Sequence, residues 1–137
     1  MRHSKLSSER GMALAVAIFA LVVIGALVAG AFYASTLEQR TGRNSLYAAE
    51  AAQAAETGPM SVLGNWDSYA LNNMGNGTTV SLGTTPMFGR TDMNYTVSAT
   101  RLNQQLFLLT SLGTRTDASG SELAQSTVAT MAWPDSW

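Results

Sequence analysis

MALAVAIFALVVIGALVAGAFYA, the run from Met12 to Ala34, decides the fold. It contains no Asp, Glu, Lys, Arg, Asn, Gln or His. As an α-helix rising 1.5 Å per residue it reaches roughly 35 Å, enough to cross a hydrocarbon core of about 30 Å. A surface helix of a soluble domain keeps a polar face, and this run has none. The stretch therefore predicts a membrane-spanning helix.

On its N-terminal side lie Arg2, Lys5 and Arg10 against Glu9. Basic residues beside a first span favour the cytoplasmic side. Beyond the span come Glu38, Arg40 and Arg43, which reduce the asymmetry without reversing it. The expected topology puts the N-terminus inside and the rest of the chain outside.

Further along is Tyr47-Ala48-Ala49-Glu50-Ala51-Ala52-Gln53-Ala54-Ala55-Glu56-Thr57-Gly58. Alanine is the best helix former, with Glu and Gln close behind. This predicts that the helix continues from the span through residues 35–58. Gly58-Pro59 reads as its stop, because Gly suits a C-terminal cap and Pro cannot extend the ladder. Gly42 costs about 1 kcal/mol relative to Ala in a helix interior, so a local bend is expected near Thr41–Ser45. Leu37, Ala48, Ala52 and Ala55 fall near one helical stripe. That stripe suits either a sheet laid on the helix or contact with other helices, and Gly25 and Gly30 pose the same choice within the span. Glu50 and Glu56 read as solvated helix charges.

At this point the residues carry a resemblance. Arg10-Gly11-Met12-Ala13-Leu14 before a long apolar helix resembles a class III leader, the type cut by prepilin peptidase. With the Ala-Glu-rich tail ending at Gly58, residues 8–58 resemble the N-terminal region of minor type IV pilins of the PilX kind. They are also similar to K-type minor pseudopilins of type II secretion. The resemblance implies a leader over residues 1–11, cleavage between Gly11 and Met12, and an N-methylated Met12. It implies other pilins or pseudopilins, prepilin peptidase and inner-membrane lipid as partners. The implied location is a bacterial inner membrane, crossed once, with the C-terminal domain outside the cytoplasm, and a pilus fibre or tip after assembly. Most pilins carry Glu as the fifth residue of the processed chain, where it pairs with a neighbour's terminal amine; here Val16 stands at that place. The departure implies a priming, capping or tip subunit rather than the bulk pilin. Pilins also often have a Pro in the membrane half of the helix, and none precedes Pro59.

From Met60 the composition shifts toward Gly, Asn, Ser and Thr. Residues 59–77 read as a connecting segment. Trp66, Tyr69 and Met74 within it predict that it folds onto the domain, and Asn76-Gly77 marks a turn. Residues 78–137 read as a small β-domain. Thr78 to Leu82 is a short strand candidate. Met93, Tyr95, Val97 and Ala99 alternate with polar residues and give the clearest half-buried strand. Leu102–Gln105 is the expected hairpin before a more apolar strand, Leu106 to Leu112. Thr116–Gly120 is a second turn, and Leu123 to Ala132 a last strand. The predicted fold class is α+β: one long helix packed against three or four antiparallel strands, the pilin-like layout.

With 137 residues, one small folded domain is the limit once leader and span are set aside. The net charge is −1, and beyond the span five arginines face eight carboxylates with no lysine. That is no nucleic-acid footprint. Cysteine is absent, so no disulfide closes a loop. The single histidine is His3, in the leader. Histidine triads, thiol catalysis and His-ligated metal sites are thereby excluded from the processed chain. Asp67, Asp92, Asp117 and Asp135 fall in turn-like or terminal sequence, where Asp is expected for backbone reasons. No enzyme activity, cofactor or metal is expected. Asn76-Gly77-Thr78 and Asn94-Tyr95-Thr96 match a glycosylation pattern but read as a turn and a strand. Trp133-Pro134-Asp135-Ser136-Trp137 reads as a cover over one end of the sheet or the membrane-facing base.

Two other readings stay open on sequence alone. The span is a plain anchor for an envelope binding module, or it is a signal peptide cut after Ala29-Gly30-Ala31, releasing a small secreted domain.

Overall fold

The computed structural model describes residues 2–134. The chain forms two compact units, Met1–Gly42 and Arg43–Trp137. One α-helix, α1 (Arg2–Gly64), supplies all that is described of the first unit and the opening of the second. It is long and apolar enough to cross a membrane. It runs on through Thr41–Ser45, so Gly42 does not interrupt it.

In the second unit α1 leads into two short 3₁₀ turns, Trp66–Tyr69 and Leu71–Asn73. Four strands follow: β1 (Thr79–Pro86), β2 (Met93–Arg101), β3 (Phe107–Thr116) and β4 (Glu122–Ala132). They form one antiparallel sheet in the order β1-β2-β3-β4. The α+β class expected from the sequence is what the chain adopts.

The sheet buries one face. On β2 that face is Met93, Tyr95, Val97 and Ala99; on β3 it is Phe107, Leu109, Ser111 and Gly113. From α1 come Ala51, Ala54, Ala55, Gly58 and Val62, three and four residues apart and so on one face of the helix. The helix must lie very close. A Cβ added to Gly113 would meet the Ala51 carbonyl oxygen and the Ala55 nitrogen. At the end where α1 stops, Val62, Trp66, Leu71, Phe107, Leu109 and Ala132 form the larger part of the core. Trp66 meets Phe107 edge-on at 5.0 Å between ring centroids.

Three expectations are corrected here. The helix does not stop at Gly58-Pro59 but continues to Gly64, and the connecting segment is correspondingly shorter. Gly58 is buried against Ser111 and Val97 rather than serving as a cap. Running past it carries Val62 into the core, and that packing outweighs the hydrogen bond Pro59 cannot make. Second, of the predicted stripe only Ala55 is fully buried; Leu37 and Ala48 are exposed and Ala52 half-buried. Third, β1 is longer than Thr78–Leu82. A bulge between Ser81 and Thr84, with Gly83 at φ +85°, breaks the two-residue period that sequence reading follows. β2 falls where the alternation placed it, and β4 covers the expected Leu123–Ala132.

Candidate functional site

The uncovered helix of the first unit and a charge cluster in the second are the two features that call for a functional account. Gly11 and Met12 both lie within α1, and a Cβ at Gly11 would meet open space. Met12 is 68% exposed and Val16 63%. Leu14, Phe19, Leu21, Val22, Leu27 and Phe32 are exposed as well, and Ala34 closes the run. Consecutive residues of a helix point 100° apart, so the bare apolar surface covers its whole circumference. Burying one such side chain is worth about 1.5–3 kcal/mol. A surface of this kind suits a lipid or helix-packed environment, and the helix is long and apolar enough to cross a membrane. Within it Val16 adds a methyl-bearing surface and no charge.

The charge cluster joins α1 to the sheet. Glu50 accepts from Arg115 Nε of β3 at 2.5 Å and from Arg90 Nη2 at 3.2 Å. Arg90 grips Asp92 with two bonds, at 2.7 and 2.9 Å, and Arg115 Nη2 lies 3.0 Å from Asp92 Oδ2. Arg115 also donates to the Thr116 carbonyl and sits over the Tyr47 ring, 5.2 Å from its centroid. Two cations and two anions thus close on one another. Arg115's hydrogen bond, and then Arg90, hold the Glu50 carboxyl below the usual carboxylate range against the opposing effect of burial. Arg90's hydrogen bonds lower Asp92 to about 2. Asp92 in turn raises Arg90 further above its ordinary value. An open cleft of about 610 Å³ borders the cluster, lined by Tyr47, Arg90, Asp92, Arg115, Asp117 and Leu123. Its charged walls are already paired. The arrangement therefore serves to lock helix to sheet.

A second fastening sits at the other end of the strands. Arg101 donates to the carbonyls of Asn72, Met74, Asn103 and Gln104 at 2.6–3.1 Å, and its guanidinium lies 5.4 Å from the Phe107 ring centroid. It pins the segment after α1 onto the β2–β3 hairpin. Trp66 Nε1 donates to Asn72 Oδ1 at 3.2 Å in the same region. Asp117 shapes the β3–β4 turn, accepting from the Ser119 hydroxyl and from the Ser119 and Ser121 amides. The Ser119 hydroxyl is the main cause of its lowered pKa. Among the described residues no group of three His, Cys, Asp or Glu side chains could hold a metal ion.

The sequence reading placed Glu50 in solvent and Asp92 in a plain turn. Both belong to the cluster instead, because Arg115 and Arg90 arrive from positions 65 and 40 residues away from Glu50. The available signal was scarcity: beyond Arg43 the only cations are Arg90, Arg101 and Arg115, and the fold uses each one. Glu56 is exposed, as expected. Pro134 lines a cleft with Leu63, Trp66 and Asn72 where α1 ends, and Trp133 is exposed; Asp135, Ser136 and Trp137 lie outside the described residues. No family model, curated protein or solved structure matches this chain.

Proposed function

We propose that this chain is a minor pilin or pseudopilin, a structural subunit that helps initiate, assemble or cap a type IV pilus or a pilus-like filament. The observation that carries the reading is the uncharged helix from Met12 to Ala34, bare around its circumference and continuous with a helix that lies under an antiparallel sheet. The apolar segment stores the subunit in the inner membrane, with the sheet domain on the far side. Extraction into a filament replaces lipid by neighbouring helices, so the exchange is nearly even in hydrophobic energy and packing decides it. Prepilin peptidase removes residues 1–11 and leaves Met12 as the terminus. Val16 withholds the charge that would pair with a neighbour's amine, which favours an end position over the shaft. The chain's work is packing, with no chemistry of its own.

Co-expression with and without a prepilin peptidase tests this. A mobility shift that requires the peptidase and disappears in Gly11→Val supports the reading. A chain of unchanged length in both cells contradicts it.

A further inference from the structure

The chain contains a single Asn-Gly pair, Asn76-Gly77, just before β1. Such a pair carries a chemistry of its own. The Gly77 backbone nitrogen can attack the Asn76 side-chain carbon Cγ and close a cyclic imide. The bond that forms joins Gly77 N to Cγ. The bond that breaks is the one to the side-chain nitrogen, which takes up the proton shed by Gly77 and leaves as ammonia. Water then opens the imide at either carbonyl and gives aspartate or isoaspartate. Glycine favours closure because no Cβ crowds the attacking nitrogen. Both residues are exposed, so water has free access. The fold nevertheless holds the pair in an unreactive form. Residues Gly75 to Thr78 make a turn, closed by the Thr78 amide on the Gly75 carbonyl at 3.2 Å. Gly77 has φ +77° and Asn76 a negative φ, the pattern of a type II turn. In that turn the peptide containing the Gly77 nitrogen is rotated away from the Asn76 side chain. The Gly77 amide also donates to the Arg101 carbonyl at 2.6 Å, which engages the very proton that ring closure must shed. The Thr78 hydroxyl donates to the Gly75 carbonyl at 2.6 Å and stiffens the same turn.

We propose that Asn76 is a self-modification site gated by the fold: it stays an amide while its turn is latched to Arg101, and it converts to aspartate or isoaspartate when the latch opens. Arg101 is the centre of that latch. Its carbonyl accepts from Gly77, its own amide donates to the Thr78 carbonyl at 3.0 Å, and its guanidinium holds the carbonyls of Asn72 and Met74. Backbone bonds at an exposed strand end open locally at far less cost than the whole fold. Isoaspartate makes the opening one-way. It routes the main chain through the side-chain carbon and lengthens it by one atom, so the two backbone bonds to Arg101 lose their register. Among the described residues β2 is the only strand beside β1. The conversion therefore marks, and fixes, a chain in which β1 has frayed from its single neighbour.

The test follows the full chain in detergent micelles at mildly alkaline pH, folded and in guanidinium chloride. Peptide mapping by mass spectrometry reads residue 76 as amide, aspartate or isoaspartate. Conversion is expected in the denatured chain and should be roughly tenfold or more slower in the folded one. Equal rates, or no conversion at Asn76 in denaturant, overturn the proposal. Arg101→Met releases the carbonyls that the guanidinium holds and should speed conversion several-fold in a chain of unchanged circular dichroism; an unchanged rate overturns the latch. Hydrogen exchange gives a second reading that needs no variant to fold. In the unmodified chain the Gly77 and Arg101 amides should be protected, and free exchange at Gly77 overturns the gating. In the purified isoaspartate form the Arg101 amide should exchange roughly tenfold or more faster, and unchanged protection there overturns the one-way step.

Discussion

Gly113 of β3 lies directly under Ala51 of α1, so close that a Cβ on the glycine would overlap the Ala51 carbonyl oxygen. The helix can rest on the sheet at this height only because one partner has no side chain and the other has a methyl group. Gly113→Ala is expected to cost about 3 kcal/mol, the upper end of overpacking penalties, because backbone on both sides must move. Thermal unfolding of the full chain in detergent, followed by circular dichroism, measures it; a change within about 0.5 kcal/mol would contradict the close approach.

About two turns further along the helix, Gly58 and Ser111 form a second tight contact. A Cβ at Gly58 would collide with the Ser111 hydroxyl and come within 2.7 Å of Val97 Cγ2. The Ser111 hydroxyl is itself buried without a hydrogen-bond partner. Ser111→Ala should therefore be neutral or stabilising by about 1 kcal/mol. Gly58→Ala should destabilise, and less so in the Ser111→Ala background. A double-mutant cycle on the melting temperature gives the coupling, and strict additivity would rule out the contact.

These contacts show what was legible in the sequence and what was not. β2 announced itself by alternation, since it buries one face through Met93, Tyr95, Val97 and Ala99. The helix end did not. Gly58-Pro59 is a local stop signal, and what overrides it is the sheet, through Ser111 and Val97, more than thirty-five residues away in the chain. The Glu50 cluster is equally non-local. The apolar run and the alanine-rich helical tail are local features and were legible directly, whereas the lock between helix and sheet required the fold.

The cluster gives stability a defined pH dependence. Asp92 is held at about 2, chiefly by Arg90, and Glu50 is also lowered. A carboxylate whose folded pKa is depressed stabilises the fold fully above its unfolded value and loses that contribution as pH falls through the folded one. Stability should therefore fall between about pH 4, the ordinary range for Asp, and about pH 2. Asp92→Asn should flatten that part of the curve while lowering stability at neutral pH. Denaturant midpoints measured from pH 7 to pH 2 check both, and an unchanged slope in Asp92→Asn would remove the cluster from the account.

At Val16 the account predicts a gain. Val16→Glu restores a carboxylate at the fifth position of the processed chain. The variant should become more abundant in sheared filaments than the parent, measured by immunoblot against total cellular protein. Equal abundance would show that this position does not set where the subunit sits.

The central claim is that the chain is made to be cut after Gly11 and packed through the helix that follows. Mass spectrometry of the N-terminus of the mature protein, isolated from membranes, tests it most directly. The account predicts a chain beginning at N-methylated Met12. An intact Met1 would contradict it in favour of a plain membrane anchor, and a start at Phe32 would contradict it in favour of a secreted domain.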